Sequence, residues 1–493
     1  MHGCQARWSS GVLRSFAGLL GALGCSPSAP GPQAPGARAD VPLAPPVDSV
    51  LLGTAAPPGA PRATETADAV AQPAAPREAE PLVAAASSTG WSMFHGDGAR
   101  TGLSPAPAVT RPHVRWRAEV GIQGYLNSPL VAGSLVIVPS SGTKHDAPDA
   151  GDGVYALDLA TGRTVWHTQT SDDANGAAIA GDRVIVTSDD GTVRGLDLAT
   201  GREVWKRPGK GQVYSHPLLV GDEVIVGDAS GTVRAFGAVA GDSRWQVPVK
   251  GAIRGGTAAD DSAIYVVSQE GEVIALSPAG ALLWHTSVTR PSFDGKTQVP
   301  IEGYAAPVVA GDLLVIPFAR DTSYDTPAFV AVERRTGAVR WLAKGRGTSE
   351  WGNVRSTPAL VAGLLVYSEP YSGDVVGLEA LTGHVRFRRT VGACYFPQYA
   401  SPAAAGDIVY VPRFDGVLYA VRSQSGMLVW RTYLGDKALT GTRAPGPPKA
   451  GSGACEWDVP SGSPLYAPVA IAPDGTVLVG NGAGTLFALE QQP

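Results

Sequence analysis

One position of this chain's internal repeat carries residues able to recognise a ligand. Where the innermost strand of a repeat unit is expected to begin stand Tyr214, Arg254, Tyr304, Arg355 and Tyr399; Tyr125 and Tyr466 fall one residue out of that register. Phenol and guanidinium planes stack on planar groups, and a guanidinium fork grips a carboxylate through two parallel hydrogen bonds. The competing reading is that each Tyr only seals a channel or bonds to its neighbour. Other chemistry is sparse. There is no G-x-S-x-G elbow, no H-E-x-x-H pair and no C-x-x-C-H haem site. Asp146, Asp149 and Asp152 offer hard oxygens, but their spacing is not that of a calcium loop; a solvated acidic loop and no metal are expected.

The cysteines read as export chemistry. Cys4 lies in an amino-terminal segment whose Arg7 and Arg14 precede a short apolar core, Ser15 to Gly24. This fits a secretory signal over residues 1–24 and is too short to span a bilayer. Ala22-Leu23-Gly24-Cys25 resembles a bacterial lipoprotein box, which would lipidate Cys25; ordinary signal cleavage nearby is the alternative. Cys394 and Cys455 remain, an even pair in an oxidising compartment, expected to form a disulfide between two long loops, with free or metal-binding thiols as the alternative. Residues 25–90 are Ala- and Pro-rich and read as a disordered tether.

The elements that must position these residues are strands. Of 493 residues, 62 are Gly and 41 Pro, which disfavours helices. A formal net charge of −5 leaves no footprint for nucleic acid. From residue 114 onward one unit recurs. Half of it is an apolar strand, a Thr-Gly turn and a Trp strand, as in Gly153-VYALDLATGRTVW-His167 and Gly191-TVRGLDLATGREVW-Lys206. The other half is a Pro-led hairpin with a Gly-Asp turn, as in Pro217-LLVGDEVIV-Gly227. The anchors Trp116, Trp166, Trp205, Trp245, Trp284, Trp341, Phe387 and Trp430 are spaced 50, 39, 40, 39, 57, 46 and 43 residues apart.

Four strands at such a period mean a propeller blade. The expected fold is all-β: one eight-bladed β-propeller of four-stranded blades over 91–493, its last blade closed by the amino-terminal Trp strand around Trp116. The anchors are expected to pack between blades. The Gly-Asp and Thr-Gly turns share one face, and every long connection falls on the other: 140–152, 288–303, 318–327, 343–356, 390–400 and 434–463. Long loops on a rigid body commonly carry function, so binding is expected on that face.

The A-x-D-x-x-T-G-x-x-x-W core, with the lead-in Trp91-SMFHGDGARTG-Leu103, resembles the pyrroloquinoline-quinone-repeat propeller superfamily. That superfamily includes quinoprotein alcohol dehydrogenases and the propeller lipoprotein of the outer-membrane β-barrel assembly machinery. The resemblance implies an exported, monomeric lipoprotein, anchored in the outer membrane or facing the periplasm. It would act without a cofactor or catalysis as a scaffold for an envelope protein or peptide. The alternative is a dehydrogenase using pyrroloquinoline quinone and calcium. Against it, such alcohol dehydrogenases carry vicinal cysteines, whereas Tyr395 follows Cys394.

Overall fold

The structure, a computed structural model, describes residues 90–145, 147–291, 296–318, 327–344, 354–369, 372–392, 399–435 and 464–493. The chain divides into units 1–79 and 80–493, and all described residues belong to the second. The expected signal, Cys25, the tether, Asp146, Cys394 and Cys455 lie outside the described residues.

Every regular element among the described residues is a strand, and the strands form eight blades around a ring. Blade three shows the plan. Leu218–Val220, Glu223–Gly227, Thr232–Gly237 and Ser243–Pro248 pair antiparallel in chain order, from the inner edge to the outer. The β-branched run Val224-Ile225-Val226 of the second strand is wholly buried, while the fourth strand mixes exposed with half-buried residues. Blade eight is assembled from both ends of the chain. Ala470–Ile471, Val477–Gly480 and Thr485–Gln491 come from the carboxyl end, and Pro112–Glu119 completes the blade with Trp116 opposite Ala488. Closure of this kind gives the last blade its fourth strand and completes the ring.

The aromatic anchors do what their recurrence implies. Each stands opposite a small residue of its own third strand: Ala156 pairs with Trp166, Gly195 with Trp205, Gly377 with Phe387 and Ala420 with Trp430. Each ring then reaches the next blade. Trp116 lies so close to Gly162 that a methyl there would sit 2.6 Å from the indole, and its Nε1 donates to Leu159 O at 2.8 Å. Trp166, Trp205, Trp245 and Trp284 donate in the same way to Leu198, Ala238, Pro278 and Arg334. Blade eight has no Thr-Gly turn, because its fourth strand comes from the amino end. There Trp430 donates instead to Val109 O of the lead-in, at 2.8 Å.

Backbone bonds also fix the two faces. Within one blade the Thr-Gly turn donates to the hairpin turn, Leu159 N to Ser134 O, Leu198 N to Asp182 O and Ala238 N to Asp222 O. Both turn types therefore lie on one face, and the long connections on the other. The connection after blade four bears its own hairpin, Thr289–Pro291 with Gln298–Pro300.

The lead-in runs around the inside of the ring. Gly90–Trp91 pairs with the innermost strand of blade one, and Leu103–Ser104 with that of blade seven. Between them, Ser92, Gly98, Ala99, Thr101 and Gly102 offer carbonyls to Ile179, Ala259, Val309, Leu360 and Ala404 on the innermost strands of blades two, four, five, six and seven. All five acceptors are met within two residues of the short turns. The segment is a strap across the turn-face end of the channel.

Candidate functional site at the channel mouth

Each innermost strand starts at the looped face and ends at the strap. Its starting register is set by a repeated backbone bond to the preceding blade. Val213 N donates to Ser188 O, Ile253 N to Asp228 O, Gly303 N to Ser268 O, Val354 N to Phe318 O and Leu465 N to Arg413 O. The residues that follow these donors are Tyr214, Arg254, Tyr304, Arg355 and Tyr466. Tyr466 is thus in register, correcting the expectation that it falls one residue out. Counting to the proline misleads because blade eight has one residue fewer between Tyr466 and Pro468. Tyr125 does lie one residue beyond the position, since Gln123 makes the equivalent bond, to Asn481 O, and Gly124 follows it.

The expected set comes together. Arg254 lies over the Tyr214 ring at 4.4 Å, and Arg355 over Tyr304 at 4.4 Å and Tyr399 at 5.3 Å. Arg355 Nη1 donates to the Tyr399 hydroxyl at 3.2 Å. Tyr399 in turn meets Tyr125 at 5.7 Å and stacks on Tyr466 at 6.2 Å, and Phe414 closes the row edge-on to Tyr466 at 5.2 Å. Phe414 was missed in the sequence because it follows a second strand rather than leading a first. The phenols are held in their neutral form. Burial pushes Tyr304 up to about 12, helped by the Glu302 carboxylate, and burial raises Tyr125, Tyr399 and Tyr466 as well. The nearby charges of both Arg254 and Arg355 pull against that rise in Tyr125 and Tyr304. The two guanidiniums therefore both act on Tyr125 and Tyr304.

Below the mouth the channel is polar, with Asn127, Asn175, Ser215, His216, Thr257, Ser356, Thr357 and Ser401 buried at the strand starts. Asn175 takes the ring position in blade two and donates to Asp189 at 2.5 Å and to Val213 O at 2.9 Å. The strap forms the floor. Arg100, wholly buried, donates Nε to Thr257 O at 2.9 Å, Nη1 to Phe94 O at 2.7 Å and Nη2 to Pro217 O at 3.3 Å. Phe94 stacks on His216 at 3.8 Å with planes 3° apart. Burial pulls His95 down to about 3 and His216 well below its ordinary value, so both are neutral. The strap and Arg100 thus occupy the turn-face end of the channel, opposite the mouth residues.

The acidic loop is self-contained. Asp149 accepts from Thr143 N, Thr143 Oγ1, Lys144 N and Gly151 N, and its amide donates to Asp152. Burial raises Asp152 to about 6. Among the described residues no three His, Cys, Asp or Glu side chains converge as metal ligands.

Ring, repeat and blade closure define a pyrroloquinoline-quinone-repeat β-propeller. Within that class, the family model described as outer membrane protein assembly factor BamB matches residues 108–259 and 229–432, and the chain belongs to that family. A curated relative, the outer membrane protein assembly factor BamB of Yersinia pestis, is 23% identical over 373 residues, covering 71% of this chain and 78% of the relative. Among solved structures, a europium-containing methanol dehydrogenase superposes with a TM-score of 0.61 at 15% identity, over 82% of this chain and 98% of that one. The quinohemoprotein alcohol dehydrogenase of Comamonas testosteroni gives 0.58 at 14%, over 82% and 81%. At such identities the dehydrogenases share the fold alone.

Proposed function

We propose that this chain is a non-catalytic propeller scaffold of the bacterial cell envelope, held at the outer membrane by a lipid on Cys25 and binding an envelope protein or peptide through the looped face. One observation carries the reading: the chain's own strap lines the turn-face end of the channel, while aromatic and cationic side chains gather at the other end, where the long connections enter the blades. Family membership supports a role in outer-membrane protein assembly. A Cys394–Cys455 disulfide would tie two of the loops together.

Neither a quinone nor a metal has a part in this reading. Among the described residues no three His, Cys, Asp or Glu side chains converge as ligands for the calcium that such a quinone would bring.

The test is site-specific photocrosslinking in cells, from Tyr214 on the looped face and from Asp222 on the turn face. An outer-membrane or envelope protein captured from position 214 and not from 222 is expected. Capture from 222 alone, or from neither, overturns the reading. In parallel, Cys25→Ser is expected to release the protein from membranes, and calorimetric titration with pyrroloquinoline quinone and calcium to show no saturable heat.

A further inference from the structure

We infer that Arg254 and Arg355 form a receptor for a carboxylate carried by the partner segment, an acidic side chain or a chain terminus. The inference rests on the looped-face reading above and names the chemistry of what docks there.

The observation behind it is an imbalance of charge. Elsewhere the sheltered arginines of this protein are answered from within. Arg194 meets Asp190 at 2.7 Å, Arg234 meets Asp228 at 3.2 Å, and Arg334 and Arg388 pair with Asp260 and Glu369. Arg413, wholly buried, donates to Ser368 Oγ and Ser372 O. Arg254 and Arg355 are different. Among the described residues neither has a carboxylate partner, and that sets them apart from Arg194, Arg234, Arg334 and Arg388. The Nε of each is shielded from water with nothing to donate to, as are those of Arg234, Arg334 and Arg413. Arg355 spends one N–H on Tyr399; Arg254 rests only on the Tyr214 face.

Both charges act on Tyr125 and Tyr304, and two partly desolvated cations at one mouth with no carboxylate to answer them are unfavourable unless an anion joins them. The rings beneath them fix their planes, so their remaining N–H groups are pre-oriented for a two-point grip. The strap occupies the turn-face end of the channel, so the looped face is the approach we assign to the anion. The flanking phenol faces suit a planar or apolar neighbour beside that carboxylate. A polypeptide segment brings both features at once, whereas free phosphate brings only the charge.

The experiment uses the full chain and three short peptides, titrated calorimetrically at low salt. One is acetyl-Gly-Tyr-Glu-Gly-amide, with a side-chain carboxylate only. The second replaces Glu by Gln and ends in a free carboxyl group, and the third replaces Glu by Gln and ends in an amide. Binding of the first or second at least tenfold tighter than the third is expected, and which of the two binds identifies the source of the carboxylate. Arg254→Met and Arg355→Met, each first shown to melt as the parent does, are expected to weaken that binding at least tenfold. Arg254→Lys should recover only part of it. Equal affinity for all three peptides, no binding by any, or undiminished binding by both Met variants overturns the inference. Inorganic phosphate binding where the peptides do not also overturns it, since the site would then be a general anion site. Photocrosslinking from position 214 in the Arg254→Met, Arg355→Met protein separates the two levels. Partner capture that persists leaves the scaffold standing without its carboxylate receptor; capture absent from the parent itself removes both.

Discussion

The two ends of the central channel are built from the same kinds of residue and put them to opposite uses. At the turn face, Arg100 gives all three of its nitrogens to carbonyls drawn from blade three, blade four and the strap. At the looped face, Arg254 and Arg355 lie on tyrosine rings with most of their donors unspent. A satisfied buried cation is part of the fold; an unsatisfied one at a mouth is a readiness to bind. The difference separates the end that holds the ring together from the end that meets something else.

The comparison is open to attack at both ends. The largest effect belongs to Arg100→Ala, which strands three carbonyls and leaves a void under the strap. A loss of about 3–5 kcal/mol in chemical denaturation is expected. A loss under about 1 kcal/mol would mean that the strap does not depend on this residue.

Next comes acid. His95 and His216 are held below their unfolded values, so above pH ~6.5 they are neutral in both states and add no pH dependence. As pH falls below that, the unfolded chain takes up protons that the folded chain refuses, and stability drops. From pH 7.5 to pH 5 the drop approaches about 2 kcal/mol per histidine. Asp97 beside Arg100, raised by burial, works in the opposite direction at lower pH. Comparing His216→Phe with the parent over that range isolates one histidine's share, and a pH dependence unchanged by the substitution would remove His216 from the account.

The smallest effect is expected at the mouth. Arg254→Ala, and separately Arg355→Ala, should shift stability by less than about 1 kcal/mol, because each loses a half-exposed ring contact and relieves an unpaired charge. A loss as large as that of Arg100 would erase the distinction between the two ends.

Much of this was legible in the sequence. The Thr-Gly and Trp spacing read directly as blades, because each anchor answers one repeated need: a flat ring over the glycine of the next blade. The mouth residues were also found, since they recur at one point of the repeat. Their register was less secure. Tyr466 looked displaced because proline was used as the ruler, whereas the backbone bond to the preceding blade sets the position. The lead-in stands out as a motif, but its course as a strap along the inner strands is not legible. Residues 91–104 have no alternation and no repeat, and they form their bonds through main-chain carbonyls, to which side-chain patterns are blind. The one clue was a lone arginine in a Gly-rich run; His95 and Arg100 both adopt positive φ, at 59° and 61°, which only a tightly held loop imposes. Phe414 escaped for a related reason, since it leaves a second strand rather than entering a first.

The seam in blade eight also sets a timetable for folding. Its outer strand, Pro112–Glu119, is synthesised long before the strand it must pair with, Thr485–Gln491. Until that partner exists, seven blades can stack but the circle has two open edges, each a template for pairing with another chain. Contacts between such distant parts of a chain form slowly. The unfinished molecule, rather than the finished one, is therefore the form most open to wrong pairing. Once the seam has closed, the ring has no free end from which to fray.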